Sequence, residues 1–127
     1  MQTHNPLDLS IITINYNGYA DTCEMVDSVM EQIHNISYEL IIVDNASQNS
    51  EALLLQQRYP NLTVLPSERN LGFAGGNNLG LRQAQGKYIL LLNNDTYIKD
   101  DSIIRMIELM KLSPQIGMVS PLIKYAQ

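Results

Sequence analysis

The chain has 127 residues, a formal net charge of -5 and 45% apolar side chains, which suits one globular domain of ordinary size. Carboxylates outnumber Lys and Arg, so nucleic acid, bound mainly through its phosphates, is not an expected partner. The longest apolar runs, residues 40–43 and 88–92, fall far short of the ~20 residues that cross a bilayer, and the single cysteine, Cys23, excludes an internal disulfide and a cysteine-ligated zinc.

Residues 1–8 are polar and lack the basic and apolar regions of a secretory leader, so a cytoplasmic protein is expected. Residues 9–15 are short, apolar and β-branched and run into Asn17-Gly18, the pattern of a buried strand and a turn. From Tyr19 to Ile33, Cys23, Val26, Val29, Met30 and Ile33 recur at helical spacing between acidic positions, which predicts a helix lying on a sheet. Residues 39–43 form a second strand that delivers Asp44 to a polar loop, and a helix over residues 51–59 stops before Pro60. Residues 61–65 read as a third strand. Three glycines, Gly72, Gly75 and Gly76, open a helix that runs to about Gln85, with Gly86 suited to its C-terminal cap.

Residues 87–92 form a fourth strand ending in Asn93-Asn94-Asp95, and Asp100 or Asp101 caps a helix through Leu112 that Pro114 closes. Residues 116–120 suit a fifth, shorter strand. The alternation predicts an α/β fold, a single domain over residues 1–127 with a mostly parallel sheet and helices on both faces. Ligands in such sheets sit beyond the strand C-termini. Three strands bring polar groups to that rim: Asn15, Tyr16 and Asn17, then Asp44 and Asn45, then Asn93, Asn94 and Asp95.

No strand is followed by G-x-G-x-x-G or by G-x-x-x-x-G-K-[ST], so dinucleotide and P-loop chemistries are not indicated. A nucleotidyltransferase would want a basic, glycine-rich loop after the first strand, where this chain has Asn15-Tyr16-Asn17-Gly18. His4 and His34 lie in a tail and a connection and are given no role.

Four stretches in order resemble glycosyltransferase family 2, whose fold, termed GT-A, is a Rossmann-like nucleotide-diphospho-sugar transferase fold. They are Ser10-Ile11-Ile12-Thr13-Ile14-Asn15-Tyr16-Asn17, Glu39-Leu40-Ile41-Ile42-Val43-Asp44-Asn45-Ala46-Ser47, Arg69-Asn70-Leu71-Gly72-Phe73-Ala74-Gly75-Gly76-Asn77-Asn78 and Leu90-Leu91-Leu92-Asn93-Asn94-Asp95. The third stretch looks most like members described as rhamnosyltransferases. The resemblance implies an inverting transferase of polysaccharide biosynthesis that moves a sugar from a UDP- or dTDP-sugar to a glycan or lipid-linked acceptor. It also implies that this chain is the donor-binding part of a longer enzyme, at the inner face of a membrane through other regions, with the general base beyond Gln127.

Residue by residue, the resemblance sets Asp44 against the base and Tyr16 on its face. Asn49 and Ser50 can cap the following helix, which leaves Asp44 free; the alternative is that Asp44 itself forms an Asx turn. Asp95 matches the final acid of the family's D-x-D motif, the ligand of Mg²⁺ or Mn²⁺. Asn93 and Asn94 replace the earlier positions, so metal affinity is expected to be weaker than with paired acids. Gly75 and Asn78 (or Asn77) are expected beside base or ribose, although the glycines also suit close helix packing. Arg69 and Lys87 are read as solvated. A non-catalytic nucleotide-binding module and a sugar-nucleotide nucleotidyltransferase are the competing readings. A donor-binding part on its own should expose apolar surface at Ile116, Met118, Val119 and Leu122, through which it could form a homodimer.

Overall fold

Side chains alternate across a strand, and that alternation sorts the apolar residues of this chain into two cores. A computed structural model describes residues 7–113, so the strand expected over residues 116–120, and Ile116, Met118, Val119 and Leu122, lie outside the described residues. The elements run β1 (Leu7–Asn15), α1 (Tyr19–Gln32), β2 (Tyr38–Asp44), α2 (Glu51–Arg58), β3 (Thr63–Pro66), α3 (Gly72–Gln83), β4 (Gly86–Leu91) and α4 (Ser102–Leu112). The sheet order is β3-β2-β1-β4 and every pairing is parallel, which is the order the resemblance implies.

On one face Leu9 and Ile11 of β1 and Leu40 and Ile42 of β2 pack with Met25, Val26 and Val29 of α1, Leu55 of α2, and Ile103 and Ile107 of α4. On the other, Ile12, Ile41 and Val43 meet α3. Each fully buried aliphatic side chain contributes roughly 1.5–3 kcal/mol. Cys23 belongs to the first core.

Helix α3 sits close to the sheet because Gly76 and Gly80, one turn apart, carry no side chain. A Cβ on Gly80 would lie 2.6 Å from Ile12 Cγ2, and one on Gly76 would lie 2.8 Å from Ile14 Cδ1. The expected cap at Gly86 is not what forms. Helix α3 ends at Gln83 with Ala84 as its cap. Gly86 is the first residue of β4, where a Cβ would lie 2.4 Å from the Ser10 nitrogen. A close approach between strands, rather than a helix end, explains that glycine.

Helix α2 is tied to α1 by a polar cluster. The Tyr59 hydroxyl lies 2.7 Å from Asp27 Oδ1 and 3.1 Å from the Cys23 carbonyl, and Arg58 pairs with Asp27 at 3.1 Å. Burial of the phenol, reinforced by the Asp27 carboxylate, pushes the Tyr59 hydroxyl above the usual tyrosine range.

Candidate functional site

At the C-terminal ends of β1, β2 and β4 the structure has a cleft of about 370 Å³, lined by Ile14, Tyr16, Asn45, Asn70, Gly72, Phe73, Asn77, Leu92, Asn93, Asn94 and Asp95. Five of the expected rim residues meet there: Tyr16, Asn45, Asn93, Asn94 and Asp95. Tyr16 and Phe73 are largely exposed, so each presents an aromatic ring to whatever enters. The amides of the Asn residues offer both donors and acceptors, and Asp95 is the one charged side chain in this lining.

The other expected residues lie around the cleft without lining it. Asn15 is fully buried at the end of β1. Its Nδ2 donates to Asp44 Oδ1 at 2.8 Å and to Glu51 Oε1 at 3.0 Å, while its Oδ1 accepts from the Thr22 hydroxyl at 2.7 Å. Asp44 is buried as well, and its Oδ2 accepts the Ser47 backbone N–H, three residues on, at 3.2 Å, so its carboxylate is engaged in the loop rather than free. Ser50 occupies the N-cap position of α2 but makes no side-chain capping bond, and both Asn49 and Ser50 take the left-handed conformation.

Asn17 staples the turn after β1. Its backbone N–H donates to Ser47 Oγ at 2.8 Å, and its Oδ1 accepts the Gln48 N–H at 2.7 Å. Gly75 faces the Leu71 side chain, and Asn78 is exposed on α3.

Asn45 has a structural task besides lining the cleft. Its Oδ1 accepts the Leu71 N–H and its Nδ2 donates to the Gly72 carbonyl, both at 3.0 Å, so it clamps the entry to α3. Gly72 takes a φ of +73°, a conformation that glycine adopts without strain, and the chain turns there into the helix.

Asn77, expected only as the alternative to Asn78, lines the cleft, and Phe73 and the buried carboxylate of Glu51 are residues that rim reasoning did not select. Helical phase carries the signal for the first two. With Gly76 and Gly80 against the sheet, the adjacent row, Phe73 and Asn77, turns toward the cleft, whereas Asn78 lies about 200° round from Gly76. Glu51 had no such signal, since its partner Asn15 is 36 positions away. Arg69 and Lys87 are exposed, and Lys87 lies over the Tyr88 ring at the opposite end of β4.

Among the described residues no three His, Cys, Asp or Glu side chains gather as a metal cluster, and no helix is long and apolar enough to cross a membrane. Asp95 nevertheless suits a hard cation. It is an exposed carboxylate at the cleft, and one carboxylate suffices where phosphate oxygens supply further ligands.

Among known proteins, the poly(ribitol-phosphate) beta-glucosyltransferase of Bacillus spizizenii is 32% identical over 104 residues, which cover 78% of this chain and 16% of that protein. Two other curated relatives are matched over 37% and 44% of their lengths, so the chain spans less than half of each. The crystal structure of S. aureus TarS 1-349 in complex with UDP-GlcNAc shares the fold. Its TM-score is 0.75 at 24% identity, covering 91% of this chain and 37% of that one. The mannosyltransferase PcManGT from Pyrobaculum calidifontis, solved with GDP-Man and Mn²⁺, has a TM-score of 0.67 at 23% identity, over 79% of this chain and 31% of that one. The family model for glycosyl transferase family 2 matches residues 10–125, nearly the whole length. This chain belongs to glycosyl transferase family 2.

Proposed function

We propose that this chain forms the donor-binding part of a glycosyltransferase, holding a nucleoside diphosphate-sugar in the cleft between β1, β4 and α3, for transfer to a glycan or lipid-linked acceptor. One observation carries the reading: the cleft is lined by amides, aromatic rings and a single carboxylate, with no Lys or Arg among its lining residues. A diphosphate set beside Asp95 would meet like charge, so a divalent cation, Mg²⁺ or Mn²⁺, is required between them. When bound, that cation would neutralise charge on the diphosphate, the leaving group of the transfer.

The chain's own residues then divide the work. Asp95 supplies the carboxylate ligand. Tyr16 and Phe73 offer aromatic faces to the base, and Asn77, largely buried in the wall of the cleft, offers an amide to base or ribose. Asp44 acts from behind the rim, where its carboxylate is held by Asn15 and Ser47. No catalytic base is assigned among residues 7–113.

Calorimetric titration of UDP, dTDP and GDP with and without Mn²⁺, on the wild type and on Asp95→Ala, tests the reading. Mn²⁺ should raise nucleoside diphosphate affinity in the wild type and have no effect in the variant. A wild-type chain that binds none of the three with Mn²⁺ present would overturn it.

A further inference from the structure

The connection from β4 to α4 carries Asp95, and little of its own backbone holds it. Its last ladder bond runs from Leu92 N–H to the Ile12 carbonyl at 2.9 Å, after which a single turn bond joins Thr96 N–H to the Asn93 carbonyl at 3.1 Å. Helix α1 supplies the remaining anchors through three side chains. The Thr22 hydroxyl oxygen accepts Asn94 Nδ2 at 3.1 Å, Ser28 Oγ accepts the Ile98 N–H at 3.0 Å, and Gln32 Nε2 donates to the Lys99 carbonyl at 3.3 Å. The Thr22 anchor is the one beside Asp95.

Thr22 is also the middle of a longer chain of bonds whose direction is forced. A carboxylate only accepts, so Asn15 must turn its NH₂ toward Asp44 and Glu51, which leaves its Oδ1 to accept the Thr22 proton. Thr22 then has only lone pairs to offer, and Asn94 must present its NH₂. Asn94 is thereby anchored by its amide nitrogen while still lining the cleft. The space for this amide comes from Gly18, where a Cβ would lie 2.7 Å from Asn94 Nδ2.

We propose that Thr22 is a positioning residue: its hydroxyl tethers the Asp95 loop to α1 and joins it, through Asn15, to the buried Asp44 carboxylate. What the loop positions rests on the function proposed above; the tether itself does not. Thr22 is fully buried on the sheet-facing side of α1, and its hydroxyl both donates, to Asn15 Oδ1, and accepts, from Asn94 Nδ2. Only Ser and Thr offer both at that short reach. Valine has the same shape and can do neither.

Hydrogen exchange on the full chain without ligand, read at the amides of residues 93–97, tests the tether for Thr22→Val, Thr22→Ser and Gly18→Ala. Gly18 has a φ of -128°, open to alanine, so that variant displaces Asn94 without removing any hydrogen-bonding group. Thr22→Val and Gly18→Ala should exchange about fivefold to tenfold faster in this segment, the effect of one lost hydrogen bond on local opening. Thr22→Ser should match the wild type, which a role confined to methyl packing would not allow.

UDP titration on the same proteins supplies the second readout. The Mn²⁺-dependent increment in affinity should shrink in Thr22→Val and Gly18→Ala, while metal-free affinity holds. Wild-type exchange rates in Gly18→Ala, or equally fast exchange in Thr22→Ser and Thr22→Val, would overturn the tether. Should Thr22→Val fail to fold, Gly18→Ala decides alone. Faster exchange in a protein whose wild type shows no Mn²⁺ increment would keep the tether and remove the proposed function.

Discussion

Asp44 and Asn45 are neighbours in the chain, yet their side chains work on opposite faces of the sheet. Asp44 turns to the α1 and α2 side, where Asn15 donates to it at 2.8 Å; Asn45 turns to α3 and clamps Leu71 and Gly72 at 3.0 Å each. Two consecutive polar residues at a strand end thus belong to two different structural tasks.

Asp44→Ala removes an acceptor from Asn15 and from the Ser47 N–H inside a buried network. Leaving such groups short of a partner costs about 1–3 kcal/mol. Urea unfolding should show that loss, and nucleotide affinity should fall with or without Mn²⁺. An unchanged unfolding midpoint would mean that the network contributes nothing to the fold.

Asn45→Ala releases the first residues of α3 by deleting two hydrogen bonds at once. Stability should drop by roughly 1–3 kcal/mol, with hydrogen exchange at the Leu71 amide accelerating more than exchange in β1. Uniform acceleration through both would argue against a local clamp.

Gly80→Val places a branched side chain where even a Cβ lies 2.6 Å from Ile12 Cγ2 and 3.4 Å from Val43 Cγ2. Overpacking of this kind costs about 1–3 kcal/mol. The melting temperature should fall, and α3 should lift from the sheet, widening the cleft. A variant as stable as the wild type would show that α3 is not held as close as its glycines permit.

Tyr59 makes stability depend on alkaline pH. Its hydroxyl titrates above the ordinary tyrosine value of 10.0 in the folded chain, chiefly because it is buried and also because it donates a hydrogen bond to the Asp27 carboxylate. A group raised on folding stabilises fully below its unfolded pKa, so this contribution is present below about pH 10 and declines as the pH rises beyond it. Tyr59→Phe should lose about 0.5–1.5 kcal/mol at neutral pH and show a shallower decline above pH 10 in urea midpoints. An equally steep decline would assign it to other groups.

Strand and helix positions and parallel pairing were legible in the sequence, while the order β3-β2-β1-β4 was implied only by the family resemblance. Apolar runs of four or five residues and helical spacings are local, and burying both faces of a strand leaves a parallel α/β sheet as the arrangement that satisfies them. The rim was legible for the same reason: strand ends are local features, and Tyr16, Asn45, Asn93, Asn94 and Asp95 do converge.

The division of labour among those residues was not local. Whether Asp44 is free depends on Asn15, Ser47 and Glu51, contributed by β1, the following loop and α2. Whether Asn77 or Asn78 lines the cleft depends on which row of α3 meets Ile12 and Ile14. Gly86 reads as a helix cap until β1 is laid against it. Periodicity decides which elements form and how they alternate. Only packing decides which way each polar side chain turns at their ends, because a hydrogen bond goes to whichever buried partner the neighbouring elements bring within about 3 Å.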